Sequence, residues 1–108
     1  MIVKTTYGIG SRVFWITDDS GTYSKWVLKH QGRISEPVPD HVPGRCFGNL
    51  VWVRDFNCFP YLVHECVHAV DNWMEDIGIS NDTEVRAYVL QGLLEKILKV
   101  LAKSEKEK

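Results

Sequence analysis

The amino-acid sequence predicts an α+β fold, a small, mostly antiparallel sheet followed by two packed helices. Two observations carry this. The first half holds short segments rich in β-branched and aromatic residues, and the second half holds two long stretches of helix-forming residues. Between the strand segments lies a run with three prolines and two glycines, which breaks regular structure.

Taken in order, Ile2–Tyr7 is short and β-prone. Ser11–Thr17 (SRVFWIT) reads as a strand, Asp18-Asp19-Ser20-Gly21 as turn chemistry, and Tyr23–His30 (YSKWVLKH) as a returning strand. Residues 11–30 are therefore expected to form a hairpin. Gln31–Phe47 carries Pro37, Pro39, Pro43, Gly32 and Gly44 and reads as a long surface loop. Asn49–Phe56 (NLVWVRDF) alternates around Val51 and Val53 and reads as a further strand. Pro60 suits the first turn of a helix running to about Asp76, with Gly78 as its stop. Asn81 stands three residues before Glu84, a capping-box pattern, with Asp82 as the alternative cap. A helix of Leu, Val, Ala, Glu and Lys follows to about Lys103, and Ser104–Lys108 reads as a disordered charged tail. Residues 1–103 are expected to form one domain.

Composition narrows the function. The chain has 108 residues, 25% of them charged, and a formal net charge of −1, so a strongly basic nucleic-acid binder is not indicated. No apolar run reaches the ~18–20 residues of a membrane span. MIVKTTYG lacks a charged segment followed by an apolar one, so no signal peptide is expected. Three cysteines, Cys46, Cys58 and Cys66, make no disulfide framework, and reduced thiols in a cytoplasmic protein are expected.

The segment that carries chemistry is His64-Glu65-Cys66-Val67-His68, an H-E-x-x-H match. With 4 His and 7 Glu in 108 residues, shuffling yields roughly 0.01 such matches. Histidines at i and i+4 lie on one helix face and can share a metal ion. Glu65 is turned ~100° from His64, placed to flank the metal and serve as general base. With His64 at 0°, His68 falls near ~40° and Tyr61 near ~60°. Val63, Cys66, Val67, Val70, Trp73, Met74 and Ile77 fall on the far side and are the expected core stripe.

A catalytic zinc site takes three protein ligands and an open position. Glu84 is the expected third. It shares a polar stripe with Tyr88, Gln91 and Glu95, opposite an apolar arc of Val89, Leu90, Leu93, Leu94, Ile97, Val100 and Leu101. The short link after Met74 allows the two helices to pack as a hairpin, which would bring Glu84 toward the first helix. Glu84 also suits a simple capping role, and Asp71, His41 and Glu75 are weaker alternatives as ligands. Asp71 is either a carboxylate that orients a histidine or a surface acid. Tyr88 is the preferred residue for stabilising a developing oxyanion. Arg86 points into the apolar arc and is expected to pair with a carboxylate.

HECVHAV followed by EVRAYVLQGLL resembles the gluzincin type of zinc metallopeptidase, HExxH plus a downstream Glu. More closely it is similar to small metallopeptidase-like proteins of tailed phages and prophages, which pair an HECxHA-like helix with an ExxAYL-like helix. The resemblance covers about residues 57–95. It implies His64, His68 and Glu84 as Zn²⁺ ligands, Glu65 as general base, a minimal zincin-like fold, and the cytoplasm of a bacterial host as location.

A zinc-dependent metallopeptidase is thus expected, acting on a peptide or protein substrate. Asn49–Phe56 is the candidate edge strand to hold an extended substrate. Trp52, Phe56, Phe59 and Tyr61 form either pocket wall or core, with Trp52 and Phe59 assigned to the core. A chain this small is expected to have a shallow site, with selectivity from the Gln31–Phe47 loop or from a protein partner. Two other classes stand beside this: a structural zinc module drawing on Cys58, with or without Cys46, and a zincin-like module that binds protein without turnover.

Overall fold

The computed structural model describes residues 2–7, 12–32, 42–79 and 81–106. The α+β architecture is present, with one more helix than expected. Strands β1 (Ile2–Tyr7) and β2 (Arg12–Thr17) precede helix α1 (Ser20–Gln31). Strands β3 (Gly44–Phe47) and β4 (Leu50–Val53) then precede helices α2 (Phe59–Asp76) and α3 (Thr83–Lys106). The sheet is four-stranded, in the order β1-β2-β4-β3. β1/β2 and β3/β4 pair antiparallel, and β2/β4 pair parallel, so the sheet is mixed.

The expected hairpin over residues 11–30 is corrected: its second arm is α1. Asp19 is the reason. Its Oδ1 accepts the Gly21 N–H and its Oδ2 the Thr22 hydroxyl, which caps the helix N-terminus. These bonds, the Thr22 hydroxyl foremost, hold the Asp19 carboxyl below its usual pKa. The buried Thr17 Oγ1 accepts the Asp19 N–H and starts the turn. Tyr23 and Val27, one turn apart, point into a core with Leu50 and Trp52, bordered by Trp15, Trp26 and Val42. Gly32, at φ 64°, ends the helix in the left-handed region. Because β2 and β4 run parallel, the chain crosses a face of the sheet between them, and α1 covers it.

The expected Gln31–Phe47 loop is also corrected in part. Its last four residues are β3, and residues 33–41, including His41, lie outside those described. Phe47 and Leu50 flank a two-residue turn in which Gly48 adopts φ 59°. The strand read over Asn49–Phe56 is shorter, and it is internal, lying between β2 and β3. All four β4 residues are buried, as a strand covered on both faces requires. β3, not β4, stands at the edge of the sheet.

On the face away from α1, Phe14, Ile16, Val51 and Val53 meet Leu62, Cys66, Val70, Trp73 and Met74 of α2 and Val89, Leu93 and Ile97 of α3. The expected arc of α3 is therefore the buried one. Phe56 joins this core, and Trp52 belongs to the other, which settles both as core. Phe59 does not follow the expectation: at the first turn of α2 it is 40% exposed. Gly78 stops α2 at φ 78°, and the Ile79 N–H reaches back to the Met74 carbonyl. α3 runs to Lys106, so the expected tail begins in helix; residues 107–108 lie outside those described. Among the described residues no helix is long and apolar enough to cross a membrane.

Candidate metal centre

α2 places its two histidines as the i, i+4 spacing requires. Both are exposed, and Nε2 of His64 stands 3.2 Å from Nε2 of His68. The rings meet edge to face, 4.8 Å between centroids. Two imidazole nitrogens each ~2.0–2.1 Å from one tetrahedral zinc ion stand ~3.3–3.4 Å apart, so the observed separation matches a shared ion to about 0.2 Å. The same separation suits a hydrogen bond between the rings when one carries the proton. Two imidazole nitrogens are donors that suit zinc, and among the described residues no third His, Cys, Asp or Glu gathers with them.

Glu65 differs from a simple flanking carboxylate. The buried face of α2 comprises Leu62, Glu65, Cys66, Ala69, Val70, Trp73 and Met74, turned toward Glu65 relative to the expected stripe. Val63, Val67 and Ile77 are only half-buried as a result. The rotation comes from β3, which α2 covers together with β4. Glu65 is 8% exposed, and burial pushes its pKa up, opposed by the neighbouring His64 and His68. A carboxyl so placed, next in sequence to His64 and largely out of water, is suited to take up and release a proton.

Around Glu65 lie two thiols. Burial pushes Cys46 on β3 up to about 12, with the Glu65 charge adding to it. Cys66 on α2 is also pushed up to about 12, by burial first and then by Cys46 and Glu65. Cys46 lies 3.4 Å from the Gly48 carbonyl oxygen, which also accepts a hydrogen bond from Asn72 Nδ2 at 3.0 Å. Asn72, one residue past Asp71, thereby ties the β3–β4 turn to α2. Nothing in the sequence singled out this tether.

The structure does not bring Glu84 to the histidines. It is exposed in the first turn of α3, and among the described residues no three of His, Cys, Asp and Glu gather as a metal-binding group. Asp82 caps α3, its Oδ1 accepting the Val85 N–H; Asn81 does not supply that bond. Tyr88 is 65% exposed on the same stripe, where Gln91 bonds to Glu95. Arg86 pairs with a carboxylate as expected, and that carboxylate is Asp71. Cys46 and Cys58 do not join the histidines in such a group either; Cys58 is exposed beside Asp55. Tyr61, three residues before His64, is 51% exposed. A pocket lined by Gly78, Ile79, Asn81, Asp82 and Thr83 lies at the α2–α3 connection, away from this chemistry.

Comparison with protein-family models, with curated proteins and with solved structures found no match to this chain.

Proposed function

We propose that this chain is a zinc-dependent metallopeptidase that hydrolyses peptide bonds with Glu65 as general base. The observation that supports it most is the 3.2 Å convergence of the His64 and His68 Nε2 atoms on the helix that also carries the buried Glu65. His64 and His68 would hold the ion. Glu84 would complete the set from the first turn of α3, which needs its side chain to reach past the position it has here. Zinc bound there supplies Lewis-acid polarisation of water and of a peptide carbonyl. Glu65 takes the proton from the attacking water and returns it to the leaving amine. Tyr88, one turn beyond Glu84, is the residue offered for the developing oxyanion.

The substrate class is a peptide or an extended protein segment. With β4 internal, the strand offered for such a substrate becomes β3, whose outer side borders no other described strand. The exposed Phe59 and Tyr61 suit side-chain contacts. Selectivity is assigned to the 31–47 segment or to a protein partner, and the site of action to the cytoplasm of a bacterial host.

One observation favours a second reading. Glu84 stands apart from the histidine pair, as in a zinc-binding, zincin-like module that binds protein without turnover. Metal analysis of the purified protein, followed by peptide-library digestion with wild type and Glu65→Gln, separates the two. Zinc at one equivalent with cleavage lost in Glu65→Gln supports the peptidase. Zinc binding with identical behaviour of both proteins on every peptide supports the binding module.

A further inference from the structure

We infer that Gly44 is a positioning residue for Glu65: the edge strand β3 lacks a side chain where the stem of the general base lies against it. This rests on the role proposed for Glu65 and adds a residue that the sequence reads only as a loop breaker.

A β-carbon added at Gly44 would lie 2.9 Å from Cγ and 3.4 Å from Cδ of Glu65. Real β-carbons do not approach other heavy atoms at the shorter distance. Backbone conformation does not demand glycine there. The glycines with positive φ among the described residues are Gly32, Gly48 and Gly78, and Gly44 is not one of them. Glycine inside a strand weakens it and marks a close approach. Here two groups approach: the Glu65 stem and, also at 2.9 Å, the Trp52 carbonyl oxygen.

The consequence follows from the geometry of catalysis. Glu65 projects from a rigid helix, and its long side chain has three rotatable bonds. The Gly44 backbone closes the side toward the sheet while leaving just enough room for Cγ and Cδ. An alanine at 44 displaces the stem and moves the carboxylate relative to His64 and His68. A displacement of ~1 Å at a catalytic group costs ~10²-fold in rate. No histidine atom is among the three nearest to a β-carbon at position 44, so metal uptake and base placement separate.

The test uses the full chain loaded with cobalt(II), whose visible absorption reports the surroundings of the ion. In Gly44→Ala, cobalt affinity should stay within about threefold of wild type, less than the ~10–100-fold typical of disturbing a group that supports a ligand. Its visible bands should shift from wild type in the direction seen for Glu65→Gln. A spectrum superimposable on wild type, with only a lowered melting temperature, overturns the inference and leaves Gly44 a packing residue. Should Gly44→Ala fail to fold, Gly44→Ala/Glu65→Ala decides: recovered folding supports the contact with Glu65, whereas an equally unfolded double variant assigns the glycine to the Trp52 carbonyl and overturns it. Wild type that takes up no cobalt overturns the peptidase reading itself, and the positioning role with it.

Discussion

Nε of Arg86 lies 2.6 Å from Oδ1 of Asp71, fastening the first turns of α3 to α2 just beyond His68. The direction of this clasp bears on Glu84. Two residues earlier on α3, Glu84 is turned ~200° from Arg86, so with Arg86 reaching α2 it faces outward. The clasp accompanies the rotation of α3 that the buried Val89, Leu93 and Ile97 set, one in which Glu84 is exposed.

Breaking the clasp should cost little stability. The side chains are 34% and 43% exposed, so Arg86→Ala and Asp71→Asn should each lose less than about 1 kcal/mol, and less still in high salt. Urea unfolding at low and high ionic strength measures this. A loss above about 2 kcal/mol would reveal a role beyond a surface pair.

Zinc affinity ranks the proposed ligands. His64→Ala and His68→Ala should each weaken binding by more than the ~10–100-fold typical of groups that merely support a ligand. Glu84→Ala should also weaken it, as the loss of a third ligand requires. Equilibrium dialysis settles the order; unchanged affinity in Glu84→Ala removes that residue from the ligand set.

Alkaline pH should unfold the protein earlier than its net charge suggests. Burial pushes Tyr23 up to about 12 from 10.0. It likewise raises Cys46 and Cys66 to about 12 from 9.0. For an acid whose folded pKa is raised, the unfolded chain releases its proton first. Stability is then complete below the unfolded value and is lost as pH rises toward the folded one. Melting temperature should hold to about pH 9 and fall between about 9 and 12. Tyr23→Phe should flatten the upper part of that fall; an unaltered profile counts against a buried Tyr23.

The same burial predicts thiol behaviour. Cys58 is exposed, Cys66 is fully buried and Cys46 half-buried. A disulfide reagent at pH 8 should react fast with one thiol per chain, lost in Cys58→Ser, and with the others only on unfolding. Rapid reaction of all three would contradict the packing of β3 on α2.

What the sequence made legible follows a physical division. α2 and α3 were readable because Pro60, Gly78 and a 3.6-residue apolar period act locally. The histidine face was readable for the same reason. α1 reads as a strand because Tyr23, Trp26 and Val27 are β-prone in isolation, yet the Asp19 cap and contacts to Leu50 and Trp52 override that preference. An acidic cap before apolar residues at i and i+4, Tyr23 and Val27, was the available signal. The place of β3 at the edge and β4 inside depended on pairings distant in sequence, such as Trp15 with Leu50. No local pattern encodes these. Gly44 was hidden for a related reason: its meaning lies in Glu65, twenty-one residues on in the chain but adjacent in space.

Among the described residues the mixed sheet carries two cores, one with α1 and one with α2 and α3. For handling the protein this gives it a back and a front. Lys25 and Lys29 are exposed on α1, across the sheet from His64 and His68. A tether or dye attached there leaves the histidines facing solution, so an immobilised chain can be challenged with metal or peptide with its front unobstructed.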